Sequence, residues 1–341
     1  MTGLLPAAAF TVTAVFGGLL TGFLARSLRA RALLDHPNAR SLHDAPVPRG
    51  GGIAMAVLVL TVQGLLLVSG YLPRWEGGAW LLAGCCFALL GWWDDLRPRP
   101  AAQRVVAQFV IAIAFVAGAC PEVLAAGSPP WNYAAAALLV VALVWVVNLF
   151  NFMDGADGYA GTQARLFGVA ALALMLFAGA HAAAVMSAAV AGSSLGFLYW
   201  NRPVARIFMG DVGSYFIGFQ LAAIAIAGYR ADTVITVWLI LLMPFLVDAT
   251  FTLLRRILAR EKWWAPHRSH AYQLLVLGGW TQARLLTALA ALNVIVCWPL
   301  ALWVFFTDGN GWLAALLAGG VAGMIWAGIN FSYANLRSAS K

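Results

Sequence analysis

The chain has 341 residues, of which 62% are hydrophobic and only 10% are charged. A soluble globular domain averages about 25% charged residues, so this composition excludes a string of soluble domains. The net charge of +8 requires no nucleic-acid partner, because the basic residues fall between apolar runs long enough to cross a bilayer. We therefore expect one integral membrane domain over residues 1–341, embedded in the lipid bilayer.

Apolar runs of about 20 residues recur along the chain and predict an all-α, polytopic fold with about 11 transmembrane helices. The predicted spans cover residues 4–28, 51–72, 78–93, 104–120, 132–150, 164–180, 182–200, 212–229, 232–254, 282–306 and 312–333. The first run is longer than the core of a signal peptide, so we expect a retained span. The four cysteines show neither a metal-binding spacing nor a disulfide framework.

Basic residues are concentrated in alternate gaps between these spans. All of the 21 Lys and Arg residues except Arg74 and Arg230 lie in the C-terminal tail or in or beside five gaps, at about 29–50, 94–103, 151–163, 201–211 and 255–281. Short loops rich in Lys and Arg remain in the cytoplasm. We therefore expect these loops and the C-terminus inside the cell and the N-terminus outside. The unusual polar motifs fall in the same loops, which favours one shared site.

The third span ends in two adjacent carboxylates, Asp94 and Asp95. Neighbouring carboxylates at a membrane boundary repel each other and lose hydration. A solvated helix end before Pro98 explains the pair as well as a metal-binding or general-base role does. The pair alone does not decide between these alternatives.

A more informative motif closes the fifth span, where Asn148, Asn151, Asp154 and Asp157 recur every three residues. On a helix this spacing places the four side chains along one slowly turning face. Interspersed glycines allow either a close approach to a ligand or a break in the helix. A plain turn is the alternative, but it does not require two Asn residues within the apolar run. We therefore favour a functional site here.

Asp211 lies between Gly210 and Gly213, directly before the eighth span. It could cap that helix. Its glycine neighbours suggest instead a carboxylate presented to Mg²⁺, which takes one or two protein carboxylates together with substrate phosphates.

The gap at 255–281 contains His267, Arg268 and His270 after a pair of tryptophans suited to the membrane interface. We expect these three side chains to form a cationic donor cluster for an anion such as a diphosphate. An ordinary basic loop is the alternative, but positive-inside bias uses Lys and Arg rather than His.

Two weaker signals remain. The segment from Asp35 to Gly52 is basic and glycine-rich but has neither a Walker nor a Rossmann spacing. Asp248 is an isolated acid within the ninth span, and it is expected to pair with Arg255 or Arg256 if its role is structural.

Taken together, these motifs resemble those of the polyprenyl-phosphate N-acetylhexosamine-1-phosphate transferases. The resemblance extends from Asp35 to Gln273 and rests on Asn148-x-x-Asn151-x-x-Asp154-Gly155-x-Asp157-Gly158 and Phe208-Met209-Gly210-Asp211-x-Gly213-Ser214. The stretch from His267 to Gln273 is similar to the O-antigen-initiating branch of the WecA and WbpL type rather than to the peptidoglycan branch. The family's aspartate-rich motif usually ends in a charged residue, where this chain has Pro98.

The resemblance implies roles for individual residues. Asp211 is expected to bind Mg²⁺, with Mn²⁺ as an alternative, and catalytic carboxylates are expected among Asp94, Asp95, Asp154 and Asp157. The expected substrate-binding residues, with Phe208 stacked on uracil and Arg104 facing the lipid phosphate, are Asn148, Asn151, Gly155, Asn201, Phe208, His267, Arg268, His270 and Arg104.

The implied reaction transfers an N-acetylhexosamine-1-phosphate from a UDP-sugar, such as UDP-GlcNAc, to undecaprenyl phosphate with release of UMP. It would take place at the cytoplasmic face of a bacterial inner membrane and initiate a cell-surface polysaccharide such as O-antigen. Direct attack and a covalent aspartyl intermediate both remain open, and a homodimer is one candidate assembly. The alternatives are a phospho-MurNAc-pentapeptide translocase and a non-enzymatic lipid or sugar transporter. A transporter would place ionisable residues near the bilayer midplane, where only Asp248 is a candidate.

Overall fold

Long apolar runs form helices throughout the part of the chain that the computed structural model describes, residues 3–31, 34–35, 42, 45–125, 131–262, 264–265, 267–307 and 309–339. Most of the predicted basic segment between residues 35 and 45 lies outside these ranges. The helices are α1 (Leu4–Ala30), α2 (Gly52–Val68), α3 (Arg74–Leu96), α4 (Ala101–Ala119), α5 (Pro121–Ala125), α6 (Trp131–Phe152), α7 (Tyr159–Phe177), α8 (His181–Asn201), α9 (Asp211–Arg230), α10 (Ile235–Leu258), α11 (Ala271–Leu277), α12 (Gln282–Leu292), α13 (Trp298–Thr307) and α14 (Gly311–Ala339). A π turn, Asn293–Cys297, joins α12 to α13, and strands β1 (Leu34–Asp35) and β2 (Val47–Pro48) pair in antiparallel fashion.

Every predicted span coincides with one of these helices or, for the span at 282–306, with α12, the π turn and α13 together. Among the described residues, ten helical segments are at least 18 residues long and apolar enough to cross a membrane. One of them, Gln282–Thr307, comprises α12, the π turn and α13. The remaining span corresponds to α2, which is apolar but has 17 residues. The prediction of an all-α, polytopic membrane protein is therefore confirmed.

Helix α9 is the centre of the bundle. Of its most apolar stretch, 89% is buried inside the protein, against 28% for α1 and 22% for α14. Large apolar side chains such as Phe16 and Phe331 remain exposed on those outer helices, where lipid chains can cover them. The residues at the start of α9 consequently meet side chains from several surrounding helices.

Glycines allow the helices beside the start of α9 to approach closely. A Cβ atom at Gly91 of α3 would lie 2.1 Å from the carbonyl oxygen of Asp211. One at Gly52 of α2 would lie 2.2 Å from the Cα atom of Gly213. Lipid is as apolar as the helices themselves, so association in a membrane relies on such close packing. Small residues therefore bring α2 and α3 against the first turn of α9.

The Asn and Asp motif spans the end of a helix, which is the helix break that its glycines left open in the sequence. Helix α6 carries Asn148 and Asn151 but ends at Phe152, so Asp154 and Asp157 lie in the connection to α7. Glycines and aspartates favour turns over helix interiors. Gly158, directly before α7, has a φ of 73°, a backbone conformation that suits glycine.

Candidate active site

Asp95 caps the most buried helix from outside that helix. Its Oδ1 accepts the N–H of Asp211 at 2.9 Å, and its Oδ2 accepts the N–H of Val212 at 3.0 Å. These are backbone donors that a helix N-terminus leaves without partners. The expected alternative role of Asp211, capping α9 itself, is therefore filled by Asp95, and the Asp211 carboxylate is available for other contacts.

Arg49 joins the two carboxylates. Its Nε lies 2.9 Å from Asp95 Oδ1, and one Nη lies 2.9 Å from Asp211 Oδ1. Burial lowers the pKa of Arg49, but Asp211 and Asp95 outweigh it and raise the pKa above the ordinary arginine value. Arg49 is consequently a permanent positive charge in this site. In the sequence, Arg49 lies in the glycine-rich segment from Asp35 to Gly52, which is a weak signal.

Asp94 belongs to a second polar group beside the first. Its Oδ2 accepts Arg104 at 2.9 Å and the hydroxyl of Tyr215 at 3.3 Å, while its Oδ1 accepts the N–H of Arg99 at 2.8 Å. Arg104 also donates to the Tyr215 oxygen at 3.1 Å. Both carboxylate oxygens of Asp94 are thus used within the protein, and Arg104 pairs with Asp94 at the end of the bundle where the lipid phosphate was expected.

The asparagines of α6 reach the same region. Asn151 Nδ2 donates to Asp211 Oδ1 at 3.0 Å and to the Ser214 hydroxyl at 2.9 Å. One turn earlier, Asn148 Nδ2 donates to Gln108 Oε1 on α4 at 2.5 Å. The structure therefore brings together predicted site residues from α3, α4, α6 and α9.

Asp154 differs from the other carboxylates. Asp94, Asp95 and Asp211 all accept hydrogen bonds, whereas the Asp154 carboxylate has none from the described residues. Burial raises the pKa of Asp154 well above the usual aspartate range, and nearby Asp211 and Asp95 add to the effect of burial, while Arg49 opposes it. The raised pKa and the lack of hydrogen-bond donors from the described residues make Asp154 a candidate proton acceptor.

Asp157 and Asn201 connect loops within the protein. Asp157 Oδ2 accepts the N–H of Ala205 at 2.9 Å. Asn201 Oδ1 accepts the N–H of Gly158, and its Nδ2 donates to Ile207 O, each at 2.9 Å. These contacts join the α6–α7 connection to the segment before α9. Their predicted catalytic and uridine-binding roles stay predictions.

The backbone of Phe208 links the segment before α9 to the segment before α2. Its N–H donates to Pro48 O at 2.8 Å, and its carbonyl oxygen accepts Gly50 N and Gly51 N at 3.1 and 2.8 Å. Its ring is only partly buried, so it could still meet a ligand. The contact with uracil stays a prediction.

Asp248 repeats the capping arrangement of Asp95. Its carboxylate accepts the N–H groups of Ala271 and Tyr272 at 2.8 and 3.1 Å, and the Thr252 hydroxyl at 3.1 Å. The expected pairing with Arg255 or Arg256 is wrong, because the start of α11 supplies its partners instead. Asp248 therefore positions the segment that carries the two histidines.

The histidine segment packs against the α6–α7 connection. The hydroxyl of Tyr272 donates to Phe152 O at 3.1 Å, and a Cβ atom at Gly155 would lie 2.3 Å from that hydroxyl. The rings of His270 and Tyr272 stack at 5.9 Å between centroids. Gly155 therefore permits direct contact between two predicted motifs, and its predicted contact with the nucleotide stays untested.

The prediction of a fully cationic cluster is wrong for His267. Burial, followed by the neighbouring His270, Arg256 and Arg255, lowers the pKa of His267 to about 3. The imidazole is consequently neutral near pH 7, where it can donate one hydrogen bond but carries no charge. Arg268 is exposed to solvent, whereas His270 is buried.

The donors at Asp211 fit Mg²⁺. Within the described ranges, no group of three or more His, Cys, Asp or Glu side chains could hold a metal by itself. Mg²⁺ typically needs only one or two protein carboxylates, because water and substrate phosphates complete its shell. Asp211 would serve as that ligand, and Asp154 is a further carboxylate close enough for the two to interact electrostatically.

A cavity of about 420 Å³ lies at the opposite end of the bundle. Its walls include Trp80, Phe115 and Arg230, from α3, α4 and the end of α9. Arg230 is paired there with Glu76 and Glu122, at 2.8 Å in each case. This cavity is separate from the carboxylate cluster, which lies at the start of α9.

Comparisons with known proteins identify a matching family and several relatives of this chain. Residues 78–229 match the model of glycosyl transferase family 4. The chain is 30% identical over 282 residues to a Bacillus subtilis (strain 168) protein described as a probable undecaprenyl-phosphate N-acetylglucosaminyl 1-phosphate transferase, covering 80% of this chain and 77% of the relative. It is 31% identical over 346 residues to the decaprenyl-phosphate N-acetylglucosaminephosphotransferase of Mycobacterium leprae (strain TN), covering 89% and 84%. A phospho-N-acetylmuramoyl-pentapeptide-transferase of Oceanobacillus iheyensis is 27% identical over 315 residues, covering 84% and 93%.

Carboxylates gathered at the ends of membrane helices suit an enzyme that joins a membrane lipid to a polar donor. The protein is such an enzyme, a multi-pass membrane phosphoglycosyltransferase. The chain belongs to glycosyl transferase family 4, and the predicted membership of the polyprenyl-phosphate N-acetylhexosamine-1-phosphate transferases is confirmed.

Sequence reasoning missed three residues that complete the site. They are Arg49, Tyr215 and Tyr272, which contact Asp211, Asp94 and the α6–α7 connection. Tyr215 lies one turn after Asp211 on the same helix, and that spacing could have indicated it. Arg49 could not be found this way, because its partner is 162 residues away in the chain.

Proposed function

We propose that the protein transfers an N-acetylhexosamine-1-phosphate from a UDP-sugar to undecaprenyl phosphate, releasing UMP. UDP-GlcNAc is the first donor to test, because relatives over 30% identical are described as acting with N-acetylglucosamine. The observation that carries the proposal is the cluster of Asp95, Asp211 and Arg49 at the start of α9, with Asp154 beside it. Such a cluster suits a reaction that gathers several phosphate charges in one place.

In this mechanism a phosphate oxygen of undecaprenyl phosphate attacks the β-phosphorus of the donor. The new bond joins that oxygen to the β-phosphorus, and the bond from the β-phosphorus to the bridging oxygen breaks, so UMP leaves with the electron pair. Asp154 accepts the proton of the attacking phosphate when the latter is a monoanion. Asp95 and Asp94 are positioning residues. Their carboxylate oxygens already contact the start of α9, Arg49 and Arg104.

We favour direct attack over a covalent aspartyl intermediate. Asp94 and Asp95 accept hydrogen bonds on both of their oxygens, which lowers their nucleophilicity and leaves neither oxygen exposed to the donor. A bound Mg²⁺ on Asp211 would neutralise phosphate charge and orient the diphosphate. His267, Arg268 and His270 are proposed to donate to the phosphates or the sugar, with His267 acting as a neutral donor.

We place the site on the cytoplasmic face of a bacterial inner membrane. Lys and Arg are concentrated in the loops at this end of the bundle, which supports a cytoplasmic location. The product would then initiate a cell-surface polysaccharide such as O-antigen. The loops at about 29–50, 94–103, 151–163, 201–211 and 255–281 would form one active-site surface of a single domain.

A peptidoglycan-type translocase is the second candidate, because a phospho-N-acetylmuramoyl-pentapeptide-transferase is among the relatives. The sequence His267-Arg268-Ser269-His270 favours the first candidate, since it is similar to the O-antigen branch.

The decisive experiment supplies purified protein with undecaprenyl phosphate, Mg²⁺ and a panel of UDP-N-acetyl sugars, including UDP-MurNAc-pentapeptide. UMP release that requires the lipid and the metal, and that Asp211→Ala abolishes, is the expected result. Release only from the pentapeptide donor would favour the translocase. Absence of release from every donor, in protein that binds undecaprenyl phosphate, would contradict both candidates.

A further inference from the structure

Arg49 holds the carboxylate that is proposed to bind the metal. One Nη lies 2.9 Å from Asp211 Oδ1, which also accepts Asn151, while Nε lies 2.9 Å from Asp95. A guanidinium and a divalent cation on one carboxylate would repel each other strongly. Metal binding at Asp211 therefore has to compete with Arg49.

The backbone beside Arg49 is held by hydrogen bonds, but its side chain is only partly buried. Gly50 N and Gly51 N donate to Phe208 O, three residues before Asp211 in the chain. The Arg49 side chain nevertheless keeps 37% of its surface exposed. The guanidinium can thus rotate away from Asp211 while its backbone and its Nε contact with Asp95 remain.

The charges of the cluster call for a divalent cation. Asp95 and Asp211 share the single guanidinium of Arg49, and Asp94 pairs with Arg104, so three carboxylates contact two guanidinium groups. One negative charge remains uncompensated among these contacts when all the groups are ionised. An entering diphosphate adds further negative charge, for which a released guanidinium offers paired donors.

We propose that Arg49 is the resident counter-ion of Asp211, and that it releases Asp211 to a divalent cation and binds the incoming diphosphate in exchange. This inference rests on the proposed function and goes beyond it, because it makes the binding of the metal and of the nucleotide cooperative. The metal removes Arg49 from Asp211, and the diphosphate stabilises the guanidinium in its new position. Each ligand therefore increases the affinity for the other.

The test measures Mn²⁺ affinity by electron paramagnetic resonance in nanodiscs, with and without UDP, and involves no turnover. In the wild-type protein UDP is expected to tighten Mn²⁺ binding about 10-fold or more. Arg49→Gln removes the competing charge, so it is expected to bind Mn²⁺ about 10-fold more tightly than wild type without UDP. The further effect of UDP is expected to shrink in that variant. A merely structural role of Arg49 would weaken Mn²⁺ binding instead.

Two variants control for charge and geometry. Arg206→Gln removes a positive charge near the same end of the bundle, where Arg206 donates to Tyr199 O, and it is expected to match wild type. Arg49→Lys keeps the charge and is expected to bind Mn²⁺ as wild type does. Equal tightening in Arg49→Lys and Arg49→Gln would overturn the proposal, because charge competition would not be the cause.

Two further results would also overturn it. One is unchanged or weaker Mn²⁺ binding by Arg49→Gln without UDP. The other is tight binding that persists when Asp211→Asn is added to Arg49→Gln, because the metal would then lie elsewhere. UMP release by the wild-type protein tests the proposed function separately, so a failure of either idea can be recognised.

Discussion

At the scale of single residues, Asp154 combines its proposed role as proton acceptor with a cost in stability. Its folded-state pKa lies well above the ordinary value, chiefly because of burial. An acid with a raised folded-state pKa binds more protons in the folded protein than in the unfolded chain. Stability therefore falls as the pH rises from about 4, the ordinary aspartate pKa, through the folded-state value.

Replacing Asp154 with Asn should consequently have opposite effects on activity and stability. We expect kcat to fall at least about 100-fold because the proton acceptor is lost. The thermal unfolding temperature at pH 7 should rise, because the substitution removes a carboxyl group that is harder to ionise in the folded protein than in the unfolded chain. UMP release and thermal unfolding of the same preparation measure both effects. A fall in unfolding temperature at pH 7 with activity retained would contradict this account.

His267 leads to a pH prediction of the opposite sign. Its pKa is lowered from 6.5 to about 3, so the unfolded chain binds more protons between those values. The wild-type protein should lose stability as the pH falls below 6.5, and His267→Gln should lose less. Between pH 7 and 8 the histidine remains neutral, so Gln, a neutral donor, should preserve more activity than Ala. Thermal unfolding at pH 5 and 7.5 tests the first expectation, and an equal loss in both proteins would refute it.

At the scale of helices, two carboxylates cap elements to which they do not belong. Asp95 at the end of α3 caps α9, and Asp248 in α10 caps α11. The sequence indicated both acids as unusual but not their partners, because local patterns report neighbours along one helix and these contacts join different helices. The lengths of the spans could be predicted, since the bilayer imposes them. The short α11 could not be predicted, since tertiary contacts decide where it begins and ends.

The packing of α3 on α9 can be tested with matched glycines. A Cβ atom at Gly91 would overlap the Asp211 carbonyl, whereas one at Gly78 of the same helix meets nothing within 4 Å. We expect Gly91→Ala to separate α3 from the start of α9 and to cost about 1–3 kcal/mol of stability. It should also lower kcat, because Asp95 would lose its N–H donors. Gly78→Ala should leave the unfolding temperature and kcat nearly unchanged. Equal effects of the two substitutions would rule out the packing argument.

At the scale of the whole molecule, α3 and α9 are joined near both of their ends. Asp95 contacts the start of α9, and Arg230 at the end of α9 pairs with Glu76 in the first turn of α3. Hydropathy predicted the spans correctly, and the charge pattern predicted that the polar motifs share one end. The individual contacts could not be predicted from the sequence, because partners such as Arg49 and Asp211 are far apart in the chain.

The orientation of the bundle can be tested with single cysteines. In a background lacking Cys85, Cys86, Cys120 and Cys297, we would introduce Arg206→Cys or Arg74→Cys, at opposite ends. A membrane-impermeant maleimide should label Arg74→Cys on intact cells, and it should label Arg206→Cys only in inverted vesicles. The reverse pattern would place the carboxylate cluster outside the cytoplasm.

The cap that Asp95 provides also has a consequence for biosynthesis. Its N–H donor at Asp211 is 116 residues further along the chain. A ribosome adding about 5–20 residues per second needs on the order of ten seconds to reach that donor. During this interval α3 is already available for insertion, and its terminal carboxylates have no helix to stabilise. A position at the membrane boundary lets water solvate them in the meantime, whereas a position at the bilayer centre would carry the full cost of burial. The location at the membrane boundary, which suits a reaction at the surface, therefore also keeps the carboxylates at the end of α3 hydrated until α9 has been synthesised.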